Sequence, residues 1–316
     1  MENQAENEQN EEADDGLSVE HIPVLADTLT EQVVLPRNGT VVDATIGQGG
    51  HSLLFGEQLG SGGTLIGFDV DQNALSRSSQ RLKALPCRVI LIHSNFAGIV
   101  EALRSHDIGG VDFILADLGY SSDQLSDQKI GISFQEDMPL DMRIDRSLET
   151  SAADIVNGLD ETSLANLIFE FGQDRASRRI ARFILRQREH EPITTTGQLA
   201  AIVCKALYRP GRKKRDRIHP ATRTFQALRI AVNHELDNLT HLLACAPDLL
   251  NPEGRMAVIS FHSLEDRLVK YDFRGRASEG LYKVLTKKPL VPTEKEVQAN
   301  RRARSAKLRI AQRIEM

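Results

Sequence analysis

The stretch TVVDATIGQGGHSLLFGEQLG (residues 40–60) decides the fold class, because it joins a short apolar run to a glycine-rich turn and a helical pattern. The β-branched residues of 40–46 favour a strand, and similar strand patterns follow at 64–71 (TLIGFDVD) and 87–96 (CRVILIHSNF) with helical patterns between them. A continuous apolar run in 111–122 (VDFILADLGYSS) is typical of a central parallel strand that is buried on both faces. These alternating units predict an α/β protein with a doubly wound, Rossmann-like sheet and right-handed crossovers.

The middle of the chain has a different pattern. Between 123 and 220 the apolar residues recur at helical spacing, as in ETSLANLIFEFG and DRASRRIARFILRQREH, and we find no convincing strand pattern. Strand patterns return at 254–261 (GRMAVISF), after a long predicted helix near 222–246, and again at 306–314 (AKLRIAQRI). We therefore predict one core built from both ends of the chain around an inserted helical substrate-recognition domain, with the boundaries 17–122, 123–220 and 221–316.

Charge is distributed unevenly along the chain. The whole sequence has a net charge of −5, but residues 1–15 hold seven acidic residues and neither Lys nor Arg. Residues 16–316 therefore contain 39 basic and 37 acidic residues, a net charge of +2. Because the start of the chain is rich in Glu, Asn and Gln with almost nothing apolar to bury, we predict that residues 1–16 form a disordered acidic tail.

Composition also narrows the class of protein. No run approaches the roughly 20 consecutive apolar residues that a membrane span needs, so we expect no membrane contact. The three cysteines, Cys87, Cys204 and Cys245, form no Cys-x-x-Cys pair, and neither a disulfide framework nor a metal site is indicated. We therefore expect a cytoplasmic protein. The sequence does not fix its oligomeric state, and a homodimer stays open.

Ligand-binding residues are expected just after each strand, because open parallel sheets hold ligands beyond the carboxyl ends of their strands. Glycines in 47–50 let a ligand approach the backbone closely, and Asp69 after the second strand can accept hydrogen bonds from a ribose diol. Together they indicate an adenosine-type cofactor, and Phe96 after the third strand is suited to lie against an adenine face. A dinucleotide is one alternative, although Ser52 replaces the third glycine of Gly-x-Gly-x-x-Gly. The other alternative is that the glycines only form a tight turn and that Asp69 is a solvated residue at the end of a strand.

The fourth strand ends in Asp117-Leu118-Gly119-Tyr120, where amino-methylating enzymes carry an acid or amide, two small residues and an aromatic. An exocyclic amine on a base is a poor nucleophile, so an enzyme must align it and accept hydrogen bonds from its protons. Asp117 is the candidate acceptor, and Tyr120 is a candidate to stack on a base taken out of its RNA stack. The alternatives are a loop cap for Asp117 and a core aromatic for Tyr120.

One further pattern points to a different chemistry. Pro86-Cys87 resembles the nucleophile of enzymes that methylate cytosine at a ring carbon, where a thiolate first adds to the ring. Cys87, however, begins the third strand, at the amino end of the sheet and far from the expected ligand crevice. We therefore expect Cys87 to be buried and inert.

Three basic clusters indicate a polyanionic partner, because grouped cations neutralise phosphates and release counterions. They are Arg175, Arg178, Arg179, Arg182, Arg186 and Arg188 on one predicted helix; Arg209, Arg212, Lys213, Lys214, Arg215 and Arg217 in a predicted loop; and Arg301, Arg302, Arg304, Lys307, Arg309 and Arg313 near the end. For the loop we predict RNA contact through its central residues Arg212, Lys213, Lys214 and Arg215. For the arginine helix an ordinary solvated face is an equal alternative.

Seven longer motifs occur in order along the chain: HIPVL at 21, DATIGQGGHS at 43, ILADLGYSSDQL at 114, FQEDMPLDMR at 134, HPATRTFQALRI at 219, ISFHSLEDR at 259 and RARSAKLR at 302. In these motifs the chain resembles the MraW or RsmH family, the cytosine-N4 methyltransferases of bacterial small-subunit ribosomal RNA. The resemblance runs from about residue 20 to the C-terminus. Departures are Tyr120 in place of the usual Val, Asp123 in place of a common Pro, and Arg301 in place of a frequent Pro.

The resemblance implies a cofactor, a substrate and site residues. S-adenosylmethionine would be held by Gly49, Gly50, His51, Asp69, Phe96, Asp117 and Gln124. The substrate would be a cytosine in the decoding region of 16S ribosomal RNA within the small ribosomal subunit. Substrate-side candidates come from two family stretches that lack a derived role, with capping or ion pairing as the alternative: Asp141, Arg143, His262 and Glu265.

Three other functions compete with this interpretation. A methyltransferase that acts on proteins or small molecules would have the same cofactor-binding part but would not need clustered cations. A nucleotide-binding module would bind cofactor without transferring methyl groups, and a dehydrogenase would prefer NAD to S-adenosylmethionine.

Overall fold

The computed structural model describes residues 23–121, 124, 127, 130–208 and 219–315. The predicted acidic tail at 1–16 lies outside these residues, and so do the four predicted RNA-binding residues Arg212, Lys213, Lys214 and Arg215.

Within the described ranges, seven strands form one sheet with the spatial order β3-β2-β1-β4-β5-β7-β6. Neighbouring strands among β1 to β5 are parallel, while β7 runs antiparallel to both of its neighbours. The strands are β1 (Thr40–Asp43), β2 (Thr64–Asp69), β3 (Arg88–His93), β4 (Val111–Asp117), β5 (Leu250–Ser260), β6 (Tyr282–Val284) and β7 (Lys307–Arg313). The predicted α/β class and Rossmann-like sheet are confirmed, and the order of the chain reverses between β1 and β4, where such sheets open a ligand crevice.

The helices cover both faces of the sheet or pack into a separate layer. They are α1 (Ala26–Gln32), α2 (Gly50–Gly56), α3 (Gln72–Arg81), α4 (Ile99–Ser105), α5 (Ala152–Gly158), α6 (Glu161–Gly172), α7 (Ser177–Arg188), α8 (Thr196–Leu207), α9 (Thr222–Asn233), α10 (Glu235–Leu249), α11 (Ser263–Ser278) and α12 (Glu294–Ala299). None of the helices in the described ranges combines the length and apolar character needed to span a bilayer.

Successive residues of the central strands enter two different apolar cores. Val41 of β1 and Phe113 of β4 pack in one cluster, while their neighbours Val42 and Ile114 pack in the other. All four side chains are fully buried. Because side chains alternate across a strand, a run that is apolar at every position can be satisfied only where both faces are covered. Cys87, just before β3, is also buried, as expected, and burial raises the pKa of its thiol.

Helices α5 to α9 surround a third apolar cluster that extends from Leu140 to Val232. Helix α9 packs against α6 in this layer, although its residues lie beyond the boundary of 220 drawn from the sequence. The chain then turns at His234, which adopts a left-handed conformation with φ 52°. The single long helix predicted near 222–246 is therefore wrong: α9 and α10 are two helices, because one serves the helical cluster and the other packs against the sheet.

Candidate functional site

A cavity of about 370 Å³ lies at the carboxyl ends of the parallel strands. It is bordered by residues that follow β1, β2, β3 and β4, and also by residues of the helical layer and α10. Seven of the predicted site residues border it: Gly50, His51, Asp69, Phe96, Asp117, Tyr120 and Gln124. The eighth, Gly49, directly precedes α2 with φ +77° and faces Ser78 of α3 and the adjoining Leu82 instead. Gly49 therefore belongs to the turn before α2 but does not line the cavity.

Asp69 is held at the end of β2 by the backbone amides of Gly47, Val70 and Asp71. The amide of Gly47 donates to its Oδ2 at 2.9 Å, and the amide of Asp71 donates to its Oδ1 at 2.9 Å. Gly47 reaches this position with φ +51°, a conformation that favours glycine. Burial raises the pKa of Asp69, while these hydrogen bonds oppose the shift. Because a carboxylate oxygen can accept more than one hydrogen bond, Asp69 is still suited to hydroxyl donors at the cavity.

Asp43, at the end of β1, explains the serine in the glycine motif. The Ser52 hydroxyl donates to Asp43 Oδ2 at 2.7 Å, and the Thr45 amide donates to Oδ1 at 3.1 Å. Both Asp43 and Ser52 are buried. Burial raises the pKa of Asp43 to about 6, although the nearby His51 and the Ser52 hydroxyl act in the opposite direction. Ser52 thus replaces the third glycine of the dinucleotide pattern with a side chain that anchors the turn to the strand.

Asp117 ends β4 next to His51 of α2. The Asp117 amide donates to the Thr45 hydroxyl at 2.7 Å, and His51 Nδ1 lies 3.6 Å from Asp117 Oδ2. Nε2 of His51 lies 2.8 Å from the Val24 carbonyl oxygen. Burial lowers the pKa of His51, while Asp43 opposes that change. Gln124 supports the same loop, because its side-chain oxygen accepts the Ser121 amide at 2.9 Å.

Tyr120 lies in a half-buried polar network that sequence reasoning missed. Its hydroxyl donates to Glu235 Oε1 at 2.6 Å, and the Arg229 guanidinium lies 4.2 Å from its ring centre. Arg229 also donates to both oxygens of Glu235, at 2.8 and 3.0 Å. Burial opposes ionisation of Glu235, but the Arg229 charge and the hydrogen bonds hold its pKa at about 2. Burial likewise raises the pKa of Tyr120 well above its ordinary value, so the phenol stays protonated.

Two of the substrate-side candidates adjoin this network. His262 and Glu265 cap the start of α11, with the Glu265 amide 3.3 Å from His262 Nδ1 and the Phe261 amide donating to Glu265 Oε2 at 2.8 Å. His262 Nε2 lies 3.1 Å from Glu265 Oε1. The side-chain atoms of Glu235, His262 and Glu265 that could bind a metal ion lie within 4.8 Å of one another. The guanidinium of Arg229, however, already supplies a positive charge next to Glu235. The arrangement is therefore an ion-paired network.

The other two candidates pair with each other. Arg143 Nε donates to Asp141 Oδ1 at 2.6 Å, and another nitrogen of Arg143 donates to the Leu148 carbonyl at 2.8 Å. Neither residue borders the cavity, whereas Asp145 and Leu148 of the same loop do. The hydrogen bonds of Arg143 and Asp141 thus brace a loop whose later residues face the cavity.

The basic clusters differ in their surroundings. On α7, Ile180 and Ile184 are buried while Arg178, Arg182 and Arg186 are exposed, so the helix turns a cationic face outward. Near the C-terminus, Lys307 and Arg309 both pair with Asp266, at 3.2 and 2.7 Å. Part of the third cluster is therefore committed to internal ion pairs. Arg302 of the same cluster borders the cavity together with Asn300.

The strand order and the cavity at the carboxyl edge define a Rossmann-like α/β protein, and a match to a methylase family makes it an S-adenosylmethionine-dependent methyltransferase. Residues 18–314 match the model of the MraW methylase family, so the chain belongs to this family and the resemblance noted from the motifs is confirmed.

Similar curated proteins carry the name ribosomal RNA small subunit methyltransferase H. The protein from Koribacter versatilis is 48% identical, with 93% of this chain and 94% of that protein covered. The one from Brevibacillus brevis is 42% identical, with 94% and 99% covered. Among solved structures, a putative rRNA-methylase from Clostridium thermocellum aligns with 16% identity and a TM-score of 0.44 over 92% of this chain and 95% of that chain. That structural likeness is weak, and the family assignment rests on the sequence matches.

Proposed function

We propose that this protein transfers the methyl group of S-adenosylmethionine to the exocyclic N4 amine of a cytosine in the decoding region of 16S ribosomal RNA, within the small ribosomal subunit. The observation that carries the proposal is that Asp69 and Asp117 border the same cavity. The Asp69 carboxylate is suited to accept from a ribose diol, and Asp117 ends the strand on which amino-methylating enzymes carry their acceptor. The names of the relatives support the choice of ribosomal RNA.

The residues around the cavity have separate roles in this proposal. Asp69 is suited to the ribose hydroxyls, Phe96 to the adenine face, and Gly50 with His51 to the remainder of the cofactor. Gln124 holds the loop after β4 through its bond to the Ser121 amide. When bound, the cofactor supplies an electrophilic methyl group on a sulfonium centre.

Asp117 orients the amine and accepts its proton. Its carboxylate accepts a hydrogen bond from the amine, which orients the nitrogen lone pair toward the methyl group. As the new nitrogen–carbon bond forms and the sulfur–carbon bond breaks, the nitrogen becomes positively charged and must lose a proton. Asp117 stabilises that charge and accepts the proton, which then passes to solvent. A carboxylate at this position fits an amine nucleophile better than a carbon nucleophile, for which the buried Cys87 lies at the wrong end of the sheet.

The cationic face of α7 and the loop residues Arg212, Lys213, Lys214 and Arg215 belong to the same proposal, as the surface that docks RNA. In this scheme, residues 123–220 form the inserted substrate-recognition domain between the core segments 17–122 and 221–316. A ribosomal substrate also supports a cytoplasmic location.

Incubation of the purified protein with labelled S-adenosylmethionine and undermethylated small ribosomal subunits tests the proposal. Nucleoside analysis should find the label in N4-methylcytidine. Label in another nucleoside would refute the choice of amine, and label in protein would favour the competing protein methyltransferase. The absence of transfer to RNA, protein or small molecules, with cofactor binding intact, would favour a binding module.

A further inference from the structure

Tyr120 is held from two sides by residues of two different helices. Glu235, the first residue of α10, accepts a hydrogen bond from the phenol at 2.6 Å. Arg229 of α9 lies over one face of the ring, with its guanidinium carbon 4.2 Å from the ring centre. The hydroxyl and one ring face are therefore both occupied by protein groups.

Arg229 and Glu235 also fix each other. The guanidinium makes two parallel hydrogen bonds to the carboxylate, the geometry that gives arginine pairs most of their directional specificity. Their side chains are only 18% and 12% exposed, so water competes weakly for these bonds. Because the pair spans the turn at His234, it locks the end of α9 to the start of α10.

The phenol of Tyr120 cannot serve as the proton acceptor of the reaction. Burial keeps it protonated, and its proton is directed at Glu235. What remains available is the part of the ring that Arg229 leaves uncovered, and Tyr120 borders the cavity. It follows Asp117 by three residues and contacts Arg229 of α9 and Glu235 of α10, whereas Asp69 and Phe96 follow β2 and β3. An aromatic surface so placed suits the target base, not the cofactor.

We propose that Arg229 and Glu235 are positioning residues, which hold Tyr120 so that its uncovered ring surface forms the stacking wall for the target base beside Asp117. This inference rests on the proposed function. The two residues act through Tyr120 and need not touch the substrate. A small displacement of the wall misaligns the amine with the methyl group, and misplacements of about 1 Å can cost ~100-fold in rate.

Steady-state methylation of small subunits by Glu235→Gln, Arg229→Lys and Tyr120→Phe tests the inference, with cofactor affinity and Tm measured in parallel. We expect kcat to fall about 10- to 100-fold for the first two and less for Tyr120→Phe, which keeps the ring. The KM for subunits should change by less than about twofold, since docking depends on distant phosphate contacts. Cofactor affinity should be unchanged. Tyr271→Phe and Arg276→Lys are matched controls, because both residues lie on α11 and neither borders the cavity.

A double-mutant cycle separates positioning from structure. Tyr120→Leu removes the aromatic wall, so it should lower kcat strongly in the parent but add little in the Glu235→Gln background, where the wall is already misplaced. Additive effects, or unchanged kcat in Glu235→Gln, would overturn the inference. A fall in Tm with weaker cofactor binding and unaltered kcat at saturation would assign the network a structural role only. If Glu235→Gln fails to fold, the same cycle run with Arg229→Lys decides. A parent enzyme without activity on subunits would instead refute the proposed function.

Discussion

His51 Nδ1 lies 3.6 Å from Asp117 Oδ2, while the opposite ring nitrogen lies 2.8 Å from the Val24 carbonyl oxygen. A carbonyl can only accept, so its contact places the imidazole proton on Nε2 and leaves a lone pair on Nδ1. Burial lowers the pKa of His51, which keeps the ring neutral. Two acceptors thus lie side by side at the cavity, and a cationic or hydrogen-donating ligand is favoured next to them. A sulfonium cofactor and an amine nucleophile both meet this description.

Replacing Asp117 with Asn is expected to lower kcat by roughly 100- to 1,000-fold, because the amide keeps the shape but cannot take up the proton. Cofactor affinity should change far less than kcat. Asp112→Asn is the matched control, since Asp112 lies on the same strand at its amino end and accepts the Thr40 amide. Methylation kinetics with small subunits, combined with a cofactor titration, measure both quantities. A kcat within about threefold of the parent enzyme would exclude Asp117 as the acceptor.

Replacing Asp69 with Ala is expected to weaken S-adenosylmethionine binding by about 10- to 100-fold, the usual effect of losing hydrogen bonds to a charged group. The kcat at saturating cofactor should stay near that of the parent, because Asp69 lies away from the amine. Asp71→Ala removes a cap of α3 that does not border the cavity, so it should lower stability without altering affinity. Calorimetric titration checks both variants. Equal affinities for the parent and Asp69→Ala would place the ribose elsewhere.

Strand ends explain why part of the site could be predicted from the sequence. Asp69, Phe96 and Asp117 were identified because each follows an apolar run, and parallel strands bring such positions to one edge. Gly49 shows the limit of this reasoning, because the turn places it against α3 and not against the cavity. The purpose of Ser52 was likewise hidden, since its partner Asp43 looks like an ordinary strand residue in the sequence.

The Tyr120 network could not be predicted because it depends on a break in a helix. Residues 222–246 have continuous helical periodicity, and the left-handed turn at His234 leaves no glycine or proline as a signal. Without that turn, Arg229 and Glu235 would lie six residues apart on different sides of one helix. Tertiary packing of α9 and α10 against different cores creates the pair.

Neutralising Arg178, Arg182 and Arg186 with Gln is expected to weaken RNA binding and to make it less sensitive to salt. The slope of log affinity against log salt concentration should fall by roughly one unit for each phosphate that is no longer neutralised. All three side chains are exposed on α7. Arg104→Gln is the control, because Arg104 is an exposed arginine on α4, outside the layer formed by α5 to α9. Binding of small subunits measured across a range of salt concentrations gives the slope. An unchanged slope would mean that the α7 face is merely solvated.

The loop cations form a separate test of RNA docking. Replacing Lys213, Lys214 and Arg215 with Ala should weaken RNA binding while leaving S-adenosylmethionine binding intact, because phosphate contacts and the cofactor cavity are expected to be independent. Filter binding of RNA and titration with cofactor measure the two affinities. Equal loss of both would show that the loop serves the fold and not the RNA.

Glu235 makes stability depend on pH in a predictable direction. Its pKa is held at about 2 in the folded protein, against an ordinary value of 4.5, because Arg229 and its hydrogen bonds outweigh the effect of burial. A lowered pKa means that the carboxylate favours folding above pH 4.5 and that this contribution is lost as pH falls toward 2. The full contribution is roughly 3 kcal/mol, from about 1.4 kcal/mol per pKa unit. Glu235→Gln should therefore be much less stable than the parent at pH 7, and the difference should shrink by roughly 2 kcal/mol at about pH 3.

Urea unfolding of the parent and Glu235→Gln between about pH 7 and pH 3 measures this difference, because groups common to both proteins cancel in the comparison. Glu101→Gln, which replaces an exposed carboxylate on α4, should run parallel to the parent throughout. A Glu235→Gln curve that also runs parallel would mean that Glu235 gains nothing from its charge. Arg229 and Glu235 would then stabilise the protein only through their packing against Tyr120. The two hydrogen bonds between the guanidinium and the carboxylate would contribute no net free energy of folding.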